Sequence, residues 1–246
     1  MRPVVADLHI HTCLSPCGEL SMSPRRIVEE AVSKGIEMIA VTDHNSARMV
    51  DAVAGAATAA GLEFLFGMEL QTREEVHLLA YFDEAAACHR FADAIYDLLP
   101  DRPNEPAYFG DQVVVDVDEE ILGQEPRLLV NSLDLAFDEA VSLVREHGGL
   151  PVPAHVDREP YGLVAQLGFP PKSVAFDLAE TISGTLPGGF GRAVAICSSD
   201  AHRPEEIGRR RTLFEMNEAT TEEMILAAQR VGGRSVTCVA EGWRGK

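Results

Sequence analysis

Short apolar runs alternate with helix-forming stretches along these 246 residues, and the runs end in histidine or carboxylate at five separated places. Val4–His9 carries Asp7-Leu8-His9-Ile10-His11 at its end, and Ile36–Thr42 runs into Thr42-Asp43-His44. Leu62–Leu70 closes on Gly67-Met68-Glu69, Leu150–Ala154 is followed by His155, and Ala193–Cys197 by Ser198-Ser199-Asp200-Ala201-His202. Further strands are expected at Val76–Phe82, Val174–Leu178 and Thr212–Met216. Strand–helix alternation predicts a parallel sheet. Six to eight strands favour a closed barrel over an open doubly wound sheet, although pattern alone leaves both open. In a β/α barrel the C-terminal strand ends meet on one face, where active sites are built.

Helices are expected between the strands. Ser23-Pro24 supplies a capping residue and a proline suited to the first helical position. The other helical stretches are Ser46–Ala60, stopped by Gly61, then Asp83–Leu99, Phe137–His147 and Thr221–Val231. The segment 100–127 holds four prolines and an acidic run from Asp116 to Glu120, and reads as an excursion from the core, a lid or an edge ribbon. The whole of 1–246 is expected to form a single domain.

Imidazole nitrogen and carboxylate oxygen are ligands for zinc, manganese and iron. His9 and His11 are two apart, as are Asp200 and His202, so in extended chain each pair shares a face. Glu69 could bridge two ions through its two oxygens. A solvent-facing strand histidine is the alternative reading of His77. His89 and His147 lie in polar helical stretches and are assigned no ligand role.

Composition limits the partners. Thirty-nine acidic residues against twenty-one basic give a net charge of −18, which disfavours long nucleic acid and anionic membranes as partners. Charge arrives too early at the N-terminus for an export signal, and the longest apolar stretch, 52–70, is broken by Thr58 and Glu63. Five cysteines, an odd number in a chain this long, indicate a reduced, cytoplasmic compartment.

Together the clusters resemble the polymerase and histidinol phosphatase superfamily, the PHP domain. Asp7-Leu8-His9-Ile10-His11-Thr12 matches its first motif, Thr42-Asp43-His44 its second, His155 its third and Ser199-Asp200-Ala201-His202 its fourth. The resemblance implies a distorted seven-stranded (β/α)7 barrel with two or three divalent metal ions (Zn, Mn or Fe). By position, His9, His11, Glu69 and Asp200 would hold one ion, and Glu69, His77 and His155 a second. His44 and His202 would hold a third, with Cys17 standing where a histidine is typical; an inert buried thiol is the alternative.

The implied activity is hydrolysis of a small phosphate ester or nucleotide by a hydroxide shared between two ions, whose water is acidified to a pKa of about 7. Asp7 is expected to orient a histidine, and Asp43, or His202 when not bound to metal, to protonate the leaving group. Arg158 and Arg203 are candidate clamps for the substrate phosphate, with surface salt bridges as the alternative, and Arg209-Arg210-Arg211 reads as a solvated face. An amidohydrolase reading would need a lysine at a strand end. The chain has only Lys34, Lys172 and Lys246, none so placed. A non-catalytic, metal-stabilised binding module is the reading from another class. The oligomeric state is not legible.

Overall fold

The first strand, β1 (Arg2–Ile10), is buried on both faces from Val4 onward, which explains its continuous apolar character. The computed structural model describes residues 1–239. After β1 come α1 (Pro24–Ser33), β2 (Met38–Val41), α2 (Val50–Ala60), β3 (Glu63–Gln71), β4 (His77–Phe82) and α3 (Ala85–Tyr96). The excursion holds α4 (Pro106–Phe109) and the hairpin β5 (Val113–Val115) and β6 (Ile121–Gln124). The chain continues through α5 (Phe137–Glu146), β7 (Leu150–Pro153), α6 (Leu163–Leu167), β8 (Leu178–Glu180), β9 (Val194–Ile196), β10 (Arg211–Met216), α7 (Thr221–Ala228) and β11 (Ser235–Val239).

Seven strands form one sheet in the order β11-β10-β1-β2-β3-β4-β7, while β8 and β9 pair separately. The β8–β9 pair packs between β7 and β11, so the curled sheet is completed into a distorted barrel without a continuous ladder. The sheet is mixed, not parallel as the alternation predicted. β1, β2 and β3 run parallel, but β3 turns into β4 through a short loop, and β4 with β7, β1 with β10 and β10 with β11 are antiparallel. Only a long crossover can return a strand parallel, and residues 72–76 are too few for one. The strand expected at 174–178 starts at Leu178, and β11 had no distinct signal.

Two apolar clusters sit on the two faces of the strands. The inner one joins Val4, Ala6, Leu8, Met38, Ala40, Leu65, Leu79, Tyr81, Val152, Leu178, Ile196 and Phe214, one or more from nearly every barrel strand. The outer one joins Ile39, Val41, Met68 and Leu78 to the helices through Ile27, Val53, Phe91 and Phe137. On α5, Phe137, Ala140, Val141 and Val144 are buried at helical spacing and form the stripe that docks. Gly61 ends α2 in the left-handed region, with φ of 75°. Ser23 precedes α1 in extended conformation, yet its hydroxyl makes no capping bond. No helix among the described residues is long and apolar enough to cross a membrane.

Candidate metal centre

The register of β1 decides where its histidines point. Leu8 lies in the inner cluster and Ile10 in the outer one, and pairing with β2 slips between Asp7 and Ile10. Such an irregularity re-aims a side chain at a strand end. It turns His9 and His11 inward above Leu8, while Asp7 keeps the opposite face. Glu69 and His77 continue the inward rows of Leu65 and Leu79 on β3 and β4. His155 and Asp200 occupy left-handed backbone, φ 26° and 52°, and Asn45 beside His44 does the same at 48°. Non-glycine residues held there concentrate at functional sites.

These elements converge on the Glu69 carboxylate, which is buried. Its Oε1 lies 2.8 Å from His77 Nδ1, 3.2 Å from His9 Nε2 and 3.2 Å from His155 Nε2. Its Oε2 lies 3.2 Å from His44 Nδ1 and 3.4 Å from His11 Nε2. Asp200 Oδ1 stands 3.4 Å from both His9 Nε2 and His11 Nε2. His202 stacks on His11 with ring centroids 4.3 Å apart. Three sets of ligand atoms fall within 4.8 Å of one another: His9, His11 and Glu69; His44, Glu69 and His77; and His11, Cys17, His44 and His202. Every residue predicted to hold metal is therefore drawn into one cluster, Cys17 among them, and His77 is buried rather than facing solvent.

The donor set fits divalent cations. His9 Nε2, His11 Nε2, His44 Nδ1, His77 Nδ1 and His155 Nδ1 are buried without a hydrogen-bond partner among the described residues. The first four face carboxylate oxygens of Glu69 or Asp200 at 2.8–3.4 Å without hydrogen-bond geometry, an arrangement of donor atoms that a shared cation would satisfy. Protons distribute unevenly over the ion-free cluster. Burial opposes charge on His9, but the carboxylates of Glu180, Glu69 and Asp200 outweigh it and hold its pKa well above the ordinary value. Burial likewise opposes charge on His11, and Asp200 and Glu69 lift it to about 9. Burial pushes His44 and His77 down, and His202 to about 4. Burial would raise the Glu69 and Asp200 carboxyls, but the histidines around them hold both well below the carboxylate range.

Two expected roles are corrected. Asp7 accepts from the backbone N–H of Ser199 at 2.8 Å and of Gly208 at 2.7 Å, anchoring the loop that bears Asp200 and His202. It orients no histidine, because the slip in β1 separates its face from that of His9. Asp43 accepts from Thr12 N at 2.8 Å, Thr12 Oγ1 at 2.7 Å and Ser15 Oγ at 2.6 Å, and does not line the cavity. Ser15 Oγ in turn lies 3.0 Å from His11 Nδ1, so Asp43 positions His11 through Ser15 from outside the cavity. The carboxylate that orients His9 is Glu180, missed in the sequence: its Oε2 lies 2.9 Å from His9 Nδ1 and accepts from His155 N at 3.0 Å. The Ala179-Glu180-Thr181 stretch at the end of β8 was its only signal.

A cavity of about 460 Å³ opens over the cluster, with Arg158, Tyr108, Phe109 and Tyr161 among its walls. Arg158 Nη1 donates to Asp200 Oδ2 at 2.5 Å. Arg203 stands outside this cavity, half exposed, with Nε 3.1 Å from Glu19. Lys34 is tied to the carbonyls of Glu205 and Ile207, far from any bridging position, and Lys246 lies outside the described residues. His89 pairs with Asp51, and His147 Nδ1 lies 2.9 Å from Leu143 O, both away from the cluster.

The profile of the PHP domain matches residues 7–146, and a second, PHP-associated profile matches 194–232. The chain belongs to the PHP family. It is 38% identical over 77 residues to an uncharacterised protein of Methanocaldococcus jannaschii, a match covering 28% of this chain and 45% of that one. In fold it is similar to the lesion-specific endonuclease EndoQ of Pyrococcus furiosus, with a TM-score of 0.68 and 19% identity over 96% of this chain and 58% of that one. A structure of endonuclease Q with a 27-mer duplex carrying an abasic lesion at the active site gives a TM-score of 0.67, at 20% identity over 95% of this chain and 58% of that one. A putative metal-dependent phosphoesterase of Bifidobacterium adolescentis gives 0.55, at 18% identity over 91% and 96%. The chain thus spans little more than half of EndoQ and under half of the archaeal relative. The endonuclease Q complex overturns the expectation that net charge disfavours long nucleic acid, since a protein of similar fold is found with duplex DNA at its active site. Whole-chain charge is the wrong guide, because contact depends on the field local to the site.

Proposed function

We propose that this PHP protein is a metal-dependent phosphoesterase, with 1–246 acting as one domain. The observation that carries the reading is the gathering of five buried imidazole nitrogens, from His9, His11, His44, His77 and His155, within 3.4 Å of the Glu69 carboxylate. Two or three divalent ions, zinc, manganese or iron, would be held by His9, His11, Glu69 and Asp200; by Glu69, His77 and His155; and by His44, His202 and Cys17. When bound they supply Lewis acidity at the phosphoryl oxygens and a water acidified to a pKa of about 7.

The chain's own residues do the rest. Glu180 and the Asp43–Ser15 pair lock the rings of His9 and His11, so the site needs little reorganisation. Arg158, on the cavity wall, offers its remaining N–H groups to a phosphoryl oxygen beside Asp200. The walls of Tyr108, Phe109 and Tyr161 present aromatic faces suited to a nucleoside leaving group.

The test is hydrolysis of a panel by protein loaded with each metal: p-nitrophenyl phosphate, bis-p-nitrophenyl phosphate, nucleotides, single strands and lesion-bearing duplexes. Turnover that disappears on chelation and in Asp200→Asn supports the reading. A fully loaded protein inert on every ester would instead favour a metal-stabilised binding module, for which the exposed Ile121 and Leu122 of the excursion offer a contact.

A further inference from the structure

The clustered histidines differ in what holds the ring nitrogen that faces away from Glu69. His9 Nδ1 lies 2.9 Å from the Glu180 carboxylate. His11 Nδ1 lies 3.0 Å from Ser15 Oγ, which donates to the Asp43 carboxylate at 2.6 Å. Both rings of the first ligand set are therefore backed by an anion, directly or through one hydroxyl. The second set is built otherwise. His77 Nε2 lies 3.1 Å from Gln71 Oε1, a neutral amide, and His155 Nδ1 is buried with no partner among the described residues.

Strand geometry puts Gln71 where it acts. It follows Glu69 by two residues on β3, so the two side chains share a face, and it pairs directly with His77 across the antiparallel β3–β4 ladder. The His77 ring spans them, with Nδ1 2.8 Å from Glu69 Oε1 and Nε2 3.1 Å from Gln71 Oε1. The amide is itself held, because its Nε2 donates to Ser132 Oγ at 3.0 Å and the Gln71 backbone N–H donates to Asn45 Oδ1 at 3.2 Å. Tyr161 lies flat on the ring, with centroids 4.7 Å apart and planes within 9°. An amide oxygen only accepts, so the ring keeps its proton on Nε2 and turns the lone pair of Nδ1 toward the Glu69 carboxylate, an opposition that a cation relieves.

An anion behind a metal-bound imidazole raises its basicity as well as orienting it, and such partners are typically worth 10–100-fold in metal affinity. A neutral amide orients the ring without that gain. We infer that the centre holds its ions unequally: the ion of His9 and His11 is resident, the ion of His77 and His155 is exchangeable, and Gln71 is the positioning residue that sets this by fixing His77 without charging it. The site is then completed only when divalent cation is plentiful, so cation supply regulates it. This inference adds regulation to the phosphoesterase reading and rests on it for that consequence, while the unequal binding is read without turnover.

Ion-free protein labelled with 15N-histidine is titrated with zinc and followed by calorimetry and by ring 15N spectra, assigned from single-histidine variants. Before zinc is added, His77 should show its proton on Nε2. The His9 and His11 resonances should move over the first equivalent and those of His77 and His155 only beyond it, with a stepwise affinity lower by about tenfold or more. His44 and His202 report a third ion through their own resonances. Gln71→Glu keeps the acceptor and adds the charge, and the Ser132 hydroxyl can turn to donate to it. It should tighten the second step by about tenfold and move the first far less. Gln71→Leu, which removes the acceptor, should weaken the second step by a similar factor, and it decides the matter if Gln71→Glu folds poorly. All four histidines moving together, His77 moving ahead of His9, or a second step equal in wild type and both variants would overturn the inference. Ordered filling in a protein that hydrolyses no ester upholds the unequal centre and defeats the phosphoesterase reading; equal filling in an active protein does the reverse.

Discussion

Glu180→Gln is the substitution that most sharply separates a built metal centre from a chance gathering of histidines. The glutamate lies in no ligand set, yet one oxygen, Oε2, serves both His9 Nδ1 at 2.9 Å and the His155 amide at 3.0 Å. Glutamine keeps the shape but loses the charge that makes His9 a good donor. Its amide nitrogen must also occupy one carboxylate position. Oε1 there is buried without a partner, so an N–H pair would be stranded at a cost of about 1–3 kcal/mol, while turning the amide over would remove the acceptor from His9. Partners of metal-bound histidines typically change affinity 10–100-fold, or about 1.4–2.7 kcal/mol. Competition against a fluorescent chelator should show metal affinity falling by that factor, with the unfolding transition lowered in the ion-free protein by the stranded amide and lowered further in the loaded protein by the lost affinity. Unchanged affinity with a well-folded variant would refute the reasoning.

Asp43→Asn tests the corrected role of that residue. It should weaken metal binding and lower thermal stability together, by about 1.5–3 kcal/mol, because bonds to a carboxylate become bonds to a neutral amide and the Thr12 hydroxyl must turn to accept instead of donate; lost turnover with intact metal affinity and stability would revive the leaving-group role. Gly110 has φ of 103°, and a Cβ there would lie deep inside van der Waals contact with Pro16 O, so Gly110→Ala should push the excursion off the loop that carries Cys17. Melting should fall by an amount corresponding to about 1–3 kcal/mol and the third ion should be lost first, as elemental analysis would show. Glu223 is held down to about 2 by Arg234, at 2.6 and 2.7 Å, and by the Asn217 amide. A depressed carboxyl stabilises above its unfolded value of 4.5 and loses that contribution as pH falls toward 2, so the melting difference between wild type and Glu223→Gln should be full at pH 6 and vanish across that window.

Strand ends were legible because their chemistry breaks the apolar pattern. His44, Glu69, His155 and Asp200 stand out against the runs before them, and order along the chain was enough to gather the ligands. Direction was not legible. The tight turn after Gln71 makes β4 antiparallel; the five residues there are too few for a parallel crossover, a signal overridden by the strand–helix repeats around it. The orienting role expected of Asp7 failed where β1 slips register: the irregularity separates Asp7 from His9, and Glu180 takes that role. That residue sits on a three-residue strand with no periodicity to announce it. Arg209 and Arg210 were read as solvated for a similar reason, since their backbone acceptors, Ser198 and Ser199 carbonyls, leave no trace in sequence.

The account rests on cations being held at the Glu69 hub. The most direct measurement is a crystal structure of metal-loaded protein with anomalous scattering collected at the absorption edges of zinc, manganese and iron. Two or three anomalous peaks within coordination distance of Glu69, His9, His11, His77 and His155 are predicted, with the outermost beside Cys17, His44 and His202. Density showing only water among those side chains, in protein saturated with each metal, would contradict it.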